Sequence, residues 1–480
     1  MNRKMIFGTI GQIVKLEAAL LLLPLSVALA YGESSALAFL ITIGVALVVG
    51  FALSIPCRTD NHVIFAREGF VTVAFAWVAL SAIGALPFVI SGEIPFYVDA
   101  FFETVSGFTT TGASIVTNVE SMSHGILFWR SFTHWIGGMG VLGLIMAILP
   151  TGSGRSIHIL RAEMAGPIVG KIVPKVRDTA KILYLIYMAL TVLETVFLLA
   201  GGMPVFDSVV HALGTAGTGG FGIKANSIAG YSPYLQWVIT IFMLLFGVNF
   251  NLYYLLLIRR VRPVLKNTEL RCYGALLVVC TVAIMVNIYP LYHTFADSLR
   301  ESAFQVASIV TTTGYATADF NQWPGLSKGI LFLLMFVGAC AGSTAGGLKI
   351  SRVMLLFKSM RRELRRMLHP RLVGAVQMEG KTVDDTTLNG VSVYFALYFA
   401  IFAVVFLILC LEPFDLETNI TATASCLNNI GPGLGAVGPA SSYAGYSALS
   451  KIVLSIAMLF GRLEIYPLLL TMSPSIWAKK

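Results

Sequence analysis

Thr109-Thr110-Thr111-Gly112-Ala113-Ser114 is the first of four related peptides spaced about a hundred residues apart, and this recurrence decides the fold. The others are Ala216-Gly217-Thr218-Gly219-Gly220-Phe221, Thr311-Thr312-Thr313-Gly314-Tyr315-Ala316-Thr317 and Asn428-Asn429-Ile430-Gly431-Pro432-Gly433-Leu434. Each follows a short amphiphilic segment and precedes a long apolar one, so one unit is used four times: span, short helix, Thr/Gly peptide, span. Any one peptide alone would read as a turn between helices. Four at matched positions suggest loops around a common axis, and hence a pore.

Composition sets the solvent. The chain has 480 residues, 56% hydrophobic and only 12% charged, with a mean hydropathy of +0.81, which excludes a water-soluble multidomain protein. Runs of about 20 apolar residues can cross a hydrocarbon core. Ten candidate spans follow, near 10–31, 36–57, 69–91, 125–149, 179–202, 233–258, 270–292, 326–357, 389–412 and 443–472. They group as a two-helix segment (1–68) and four pore units (69–165, 166–267, 268–380 and 381–480). Short helices that cannot cross are expected over Tyr97–Phe108, Val205–Gly214, Ala296–Val310 and Leu416–Leu427. The fold class is therefore an all-α polytopic membrane protein, with four tandem helix, pore-loop and helix units around a central pseudo-fourfold pore and an additional helix pair in front.

Basic residues orient such a chain, because they are retained on the cytoplasmic side. They cluster at Arg3 and Lys4, Arg58 and Arg67, Arg155 to Lys181 (with Lys171, Lys175 and Arg177), Arg259 to Arg271, Lys349 to Lys381, and Lys479 and Lys480. All fall on one side if every span crosses once. The Thr/Gly peptides then face outward, beside few cations (Lys224, Arg300 and Lys328), and both termini lie in the cytoplasm. This placement accounts for the net charge of +9 without a nucleic acid. Met1 to Ala30 resembles a secretory signal, but Lys15 and Glu17 interrupt its apolar run, so cleavage is not expected.

Irregular backbone at membrane depth is tolerated where protein or a water-filled cavity satisfies it. Glycine supplies conformations that let successive carbonyls point inward, and Gly112, Gly219, Gly314 and Gly431 are expected at equivalent places. Carbonyl and threonine oxygens can replace the hydration shell of an alkali cation without formal charge. The expected filter comprises Thr109, Thr110, Thr111, Gly112 and Ala113; Gly217, Thr218, Gly219 and Gly220; Thr311, Thr312, Thr313, Gly314 and Tyr315; and Asn428, Asn429, Ile430, Gly431 and Pro432. Potassium contacts are expected at Thr110, Thr111, Thr218, Gly219, Thr312, Thr313, Asn429 and Ile430. The second and fourth units lack the threonine triplet, an asymmetry that a single chain can hold. Only one filter glycine per unit is matched, so modest ion discrimination is expected.

No catalytic constellation is present. The six cysteines have no paired spacing, and His134 and His211 read as packed helix histidines. Gly342-Ser343-Thr344-Ala345-Gly346-Gly347-Leu348-Lys349 misses the phosphate-loop pattern, because Leu348 separates Gly347 from Lys349. The same glycines should unwind the span around Gly338 to Gly347, unless they form a packing seam between helices. Asn249 and Asn251 could hydrogen-bond such a loop. Arg462 lies inside the last span, where a charge costs at least about 2.5 kcal/mol and needs protein or water around it. Glu464, two residues on, points elsewhere on a helix, which leaves Glu194 or loop carbonyls as partners.

Ser106-Gly107-Phe108-Thr109-Thr110-Thr111-Gly112-Ala113, Trp135-Ile136-Gly137-Gly138-Met139-Gly140, Ala341-Gly342-Ser343-Thr344-Ala345-Gly346-Gly347 and Asn428-Asn429-Ile430-Gly431-Pro432-Gly433-Leu434 together resemble the Trk/Ktr/HKT superfamily of potassium uptake proteins. The opening helix pair looks like its bacterial TrkH/TrkG branch rather than KtrB. The resemblance covers nearly the whole chain. It implies potassium ion as the transported species, a bacterial inner-membrane location, a homodimer, and a cytosolic TrkA-type ring that binds the regulatory nucleotide, this chain binding none. It also implies that Gly338, Gly342, Ser343, Thr344, Gly346 and Gly347 belong to an intramembrane loop obstructing the pore, and that Arg462 projects toward the pore beneath the filter. Alternating-access symport of K⁺ with H⁺ or Na⁺, and a sensor or scaffold with a vestigial pore, are the other functions considered.

Overall fold

The computed structural model describes residues 2–57, 66–140, 176–370 and 374–477. Of the basic clusters, Arg58, Arg155, Lys171, Lys175, Lys479 and Lys480 lie outside these residues, as does the end of the expected span 125–149. Among the described residues, regular structure is helical except for one hairpin, Gln377–Met378 paired with Lys381–Thr382. Among the described residues, six helical stretches are long and apolar enough to cross a bilayer: Arg3–Ala30, Ser35–Ser54, Arg67–Ser91, Asp178–Ala200, Thr268–Tyr292 and Asp385–Leu409. Two of them are capped at their starts: the Asn267 and Asp384 side chains accept from the backbone N–H groups of Leu270 and Thr387. Their outer faces are apolar. Val278, Val279 and Val286 are 63, 66 and 65% exposed, a surface suited to lipid rather than water.

The opening helices cross at small residues. A Cβ on Gly11 would lie 2.7 Å from the Gly50 carbonyl oxygen, so glycine is what permits this approach. Beyond them, the short helices occupy Tyr97–Phe108, Val205–Gly217, Phe295–Val310 and Leu416–Leu427. The helix after each loop packs on the next unit's short helix. His124–Gly138 lies on the second, Pro233–Phe246 on the third, Gly325–Met335 on the fourth, and Ala448–Arg462 returns to the first. That last contact closes the four units into a ring.

The second helix of each unit is interrupted, as expected for the third unit and in departure from the expected straight span in the other three. Pro233–Phe246 and Phe250–Leu257 meet at 90°, because Asn249 takes an extended ψ of 119° and its side chain accepts from the Asn251 N–H as the N-cap of a new helix. Gly325–Met335 stops before an irregular stretch, and Ile350–Leu368 restarts beyond it. Ala448–Arg462 ends at Glu464 and Ile465, with φ of 61° and 66°, and Tyr466–Met472 follows. His124–Gly138 ends beside Gly140, whose φ is 83°. The breaks meet one another: Cys340 N–H donates to Gly247 O at 3.1 Å, and Arg462 donates to Thr344 O at 2.9 Å and to Gly138 O at 2.6 Å.

Candidate ion pathway

Each short helix ends in the same cap. Thr110, Thr218, Thr312 and Asn429 have φ of 56°, 54°, 56° and 56°, the left-handed region that costs a side-chain-bearing residue roughly 1–2 kcal/mol. Two hydrogen bonds offset that cost in every unit. The left-handed residue donates three positions back, to Gly107, Thr215, Ile309 and Cys426, and its successor donates five back, to Ser106, Gly214, Ser308 and Ser425. This is the Schellman pattern, and it turns the chain sharply out of the helix.

The pattern fixes the register of the four loops. Thr111-Gly112, Gly219-Gly220, Thr313-Gly314 and Ile430-Gly431 are equivalent, so the expected alignment of Gly219 with Gly112 is one residue early. Gly112, Gly220, Gly314 and Gly431 have φ of 78°, 74°, 83° and 101°. A Cβ on each would collide with a carbonyl of the adjoining loop: Gly112 with Gly219, Gly220 with Thr313, Gly314 with Ile430, and Gly431 with Thr111. The cycle closes in order. Those same four glycines line a cavity of about 310 Å³, together with Ala113, Phe221, Pro432 and Tyr443. Glycine thus permits the close approach that brings one carbonyl from each loop to the inter-loop contacts.

Other expected filter positions do different work. Gly217 is a packing glycine, its would-be Cβ directed at the His134 carbonyl. The Tyr315 ring lies behind its loop, with its hydroxyl donating to the His211 carbonyl at 3.3 Å. Thr109 Oγ1 donates to Val105 O at 2.7 Å, so the 2.8 Å contact between Thr109 and Thr111 has Thr111 as donor. Asn429 Nδ2 donates to Thr111 Oγ1 at 3.0 Å and to Met458 O at 2.9 Å. Asn428 Nδ2 instead anchors the cap to Tyr398 Oη at 2.7 Å.

Beneath this layer, residues 338–349 fold back on themselves. Gly338 N–H donates to Leu348 O at 2.6 Å and Ile350 N–H to Ala339 O at 3.3 Å, closing the base. Gly346 N–H donates to Thr312 Oγ1 at 2.7 Å, which ties the loop to the third cap. Phe250 N–H donates to Gly342 O at 3.0 Å, and Cys340 N–H to Gly247 O at 3.1 Å. The loop is therefore held by backbone at the second unit's bend, while Asn249 Oδ1 accepts from Asn251 N–H at 2.9 Å in its own helix. Arg462 spans the same space. It donates to Thr110 Oγ1 at 3.3 Å, Thr344 O at 2.9 Å, Gly138 O at 2.6 Å and Gly137 O. Glu464 pairs with Arg352.

The profile of the TrkH cation transport protein family matches residues 35–479. The chain is 37% identical to the Trk system potassium uptake protein TrkH of Salmonella typhimurium, covering 99% of this chain and 100% of that one. It is 34% identical to the Escherichia coli potassium uptake protein TrkG, with 97% of each covered. The crystal structure of the potassium transporter TrkH from Vibrio parahaemolyticus superposes with a TM-score of 0.90 at 32% identity over 100% of both chains. The chain belongs to the TrkH family. It is thus a multi-pass membrane transport protein and not an enzyme.

Among the residues that brace this TrkH-family ring, Glu103, Arg130 and Glu269 were not singled out from the sequence. Glu103 and Arg130 form a buried ion pair at 2.7 Å. Glu103 also accepts from Ser114 Oγ and Ile115 N–H, both at 2.9 Å, and Arg130 donates to Gly222 O at 3.2 Å. The pair joins the outer ends of loops one and two. His134, read as a packed helix histidine, accepts at Nε2 from Phe221 N–H at 3.3 Å, so Nδ1 carries the proton it donates to Gly107 O at 2.8 Å. Glu269 Oε1 accepts from Ala341 N–H at 2.7 Å and Ser351 N–H at 3.2 Å. Lys349, 1% exposed, donates to the carbonyls of Gly346 at 3.0 Å and Ala345. The available signal was an ionisable residue in an apolar run, which by rule marks a partnered site.

Proposed function

We propose that this chain is the potassium-translocating subunit of a Trk-type uptake system, conducting K⁺ along its electrochemical gradient through the ring of four loops. One observation carries the reading: four left-handed caps and four glycine-to-carbonyl approaches form a closed cycle, which gathers neutral oxygens without a fixed charge, as cation dehydration needs. Homology to proteins named for potassium uptake supports the choice of ion. A potential of 100 mV contributes about 2.3 kcal/mol per charge to inward movement. The loop at 338–349 and Arg462 act as the gate in this reading, supported by their bonds to Thr312 and Thr110. The Trk-system names of the relatives support work in a complex, here a homodimer on a cytosolic TrkA-type ring. The one-sided cations support a bacterial inner-membrane location with cytoplasmic termini. Pure protein in liposomes should pass K⁺ and Rb⁺ faster than Na⁺, with single-channel currents that symport would not give. Absence of K⁺ flux from folded protein would overturn the proposal.

A further inference from the structure

The helix Ile350–Leu368 carries two faces that neither the ring nor the loop beneath it uses. Lys358, Arg361, Arg362 and Arg365 follow a helical three-four spacing, so they share one face, and they line a cavity of about 250 Å³ closed by Gly374 to Gln377. Beside them, Phe357, Met360 and Leu364 are 63, 52 and 62% exposed, and Met367 and Leu368 extend the same apolar face. The remaining face is anchored by Leu355, which is buried with Val376, Met378, Leu388 and Val391. An exposed apolar face next to a cationic one is the signature of a helix lying at a membrane surface.

The level of the cavity is fixed by its partners. Arg362 Nη1 lies 2.7 Å from Asp385 Oδ1, and Asp385 is the first residue of the span Asp385–Leu409. The cavity therefore stands at a span's polar end, where lipid headgroups lie. Lys358 Nζ donates to Gln377 O at 2.8 Å, holding the hairpin against the helix. Arg362 is matched by Glu363 and Asp385. Arg361 and Arg365 are exposed and form no ion pair among the described residues.

We propose that this cavity binds the phosphate of an anionic phospholipid from the surrounding bilayer, with the acyl chains along Phe357, Met360 and Leu364. A free anion would use the cations but leave the apolar face bare. A second copy of the chain would cover the apolar face but bring like charges toward the uncompensated arginines. One anionic lipid satisfies both faces, through charge attraction and apolar burial together.

Native mass spectrometry of the whole protein in neutral detergent tests this, with phosphatidylglycerol and phosphatidylethanolamine added at equal concentration. The native chain should retain phosphatidylglycerol in preference. The double variant Arg361→Gln/Arg365→Gln should bind it roughly thirtyfold more weakly, about fivefold per cation removed, with its melting temperature in detergent alone unchanged. Phe357→Ser/Leu364→Ser should also lose phosphatidylglycerol, showing that the tails are held and not the phosphate alone. Millimolar inorganic phosphate should leave the lipid bound. Equal retention by native chain and charge variant overturns the proposal. So does displacement by inorganic phosphate, which makes the site one for free anions, and so does dissociation of a dimer by Phe357→Ser/Leu364→Ser at unchanged lipid retention, which assigns the face to a second copy.

Discussion

At Gly220 the chain needs two things that only glycine gives together: a φ of 74° and room for the Thr313 carbonyl where a Cβ would sit. Gly314 is under the same constraint from Ile430. Gly220→Ser or Gly314→Ser should therefore shift one loop against the next, lowering K⁺ flux several-fold and lowering the K⁺/Na⁺ ratio, at a strain of about 1–3 kcal/mol. The control is Gly329→Ser, because nothing lies within 4 Å of its would-be Cβ. Gly201, although outside the loops, would be a poor control, since its would-be Cβ lies 2.5 Å from the Tyr234 ring. Flux and selectivity of all three in liposomes check this, and equal ratios would remove the filter assignment. The glycines were legible as a set, but Gly217, Gly219 and Gly220 crowd the second loop and composition cannot say which takes the axial place. The left-handed Thr218 decides it. Gly219 is small for another reason, its would-be Cβ falling on the His134 ring.

The short helices were readable almost to the residue, because their amphiphilic faces contrast with the uniformly apolar spans. The bends were not, except in the third unit, where glycines crowd. Asn249 breaks its helix by capping the next one and Ile465 by a φ of 66°, neither of which an apolar run announces. Glu269 is the anchor that fastens the broken third helix. Glu269→Ala removes the acceptor for two backbone N–H groups, each costing about 1–3 kcal/mol when left buried and unpaired. Amide exchange across 338–349 should accelerate by at least about tenfold, and K⁺ flux of the pure protein should rise if this loop is the obstruction. Arg462→Ala gives an independent check. It frees the Thr110 hydroxyl and the Thr344 carbonyl and removes a fixed positive charge, so flux should rise there too if the proposed pathway passes Arg462. Should both variants fold, keep native selectivity and conduct no faster than the native chain, residues 338–349 are a packing seam and not a gate.

Closure of the four units depends on contacts between parts far apart in sequence, which local patterns do not contain; the period of about a hundred residues gave the repeat number but not the order of packing. The opening helix pair joins the ring through Glu33, which accepts from His124 N–H at 2.7 Å and Gly125 N–H at 3.0 Å at the start of His124–Gly138, and lies 2.8 Å from His124 Nδ1. Burial alone would raise the Glu33 pKa, but the bonds from Gly125 and His124 outweigh it and hold the group below its ordinary 4.5. A lowered carboxyl pKa stabilises above the ordinary value and loses that contribution as pH falls through the lowered one. The melting temperature should thus decline below about pH 4.5, while Glu33→Gln should be less stable at pH 7, by about 1 kcal/mol as for a lost helix cap, with a flatter acid limb. An unchanged acid limb in the variant would place the titration elsewhere. Orientation is the remaining property of the whole molecule. The ring cavity, with Lys224 and Ala225 in its wall, opens away from the basic helix and the hairpin at Lys381 if cations are kept inside. In a background without the six native cysteines, Ala225→Cys should react with a membrane-impermeant thiol reagent from outside the cell, and Lys381→Cys only in inverted vesicles. Both side chains replaced are exposed, so neither change should disturb folding. Reversed labelling would turn the ring cavity to the cytoplasm, and potassium entering down its gradient would then meet the gate before the filter.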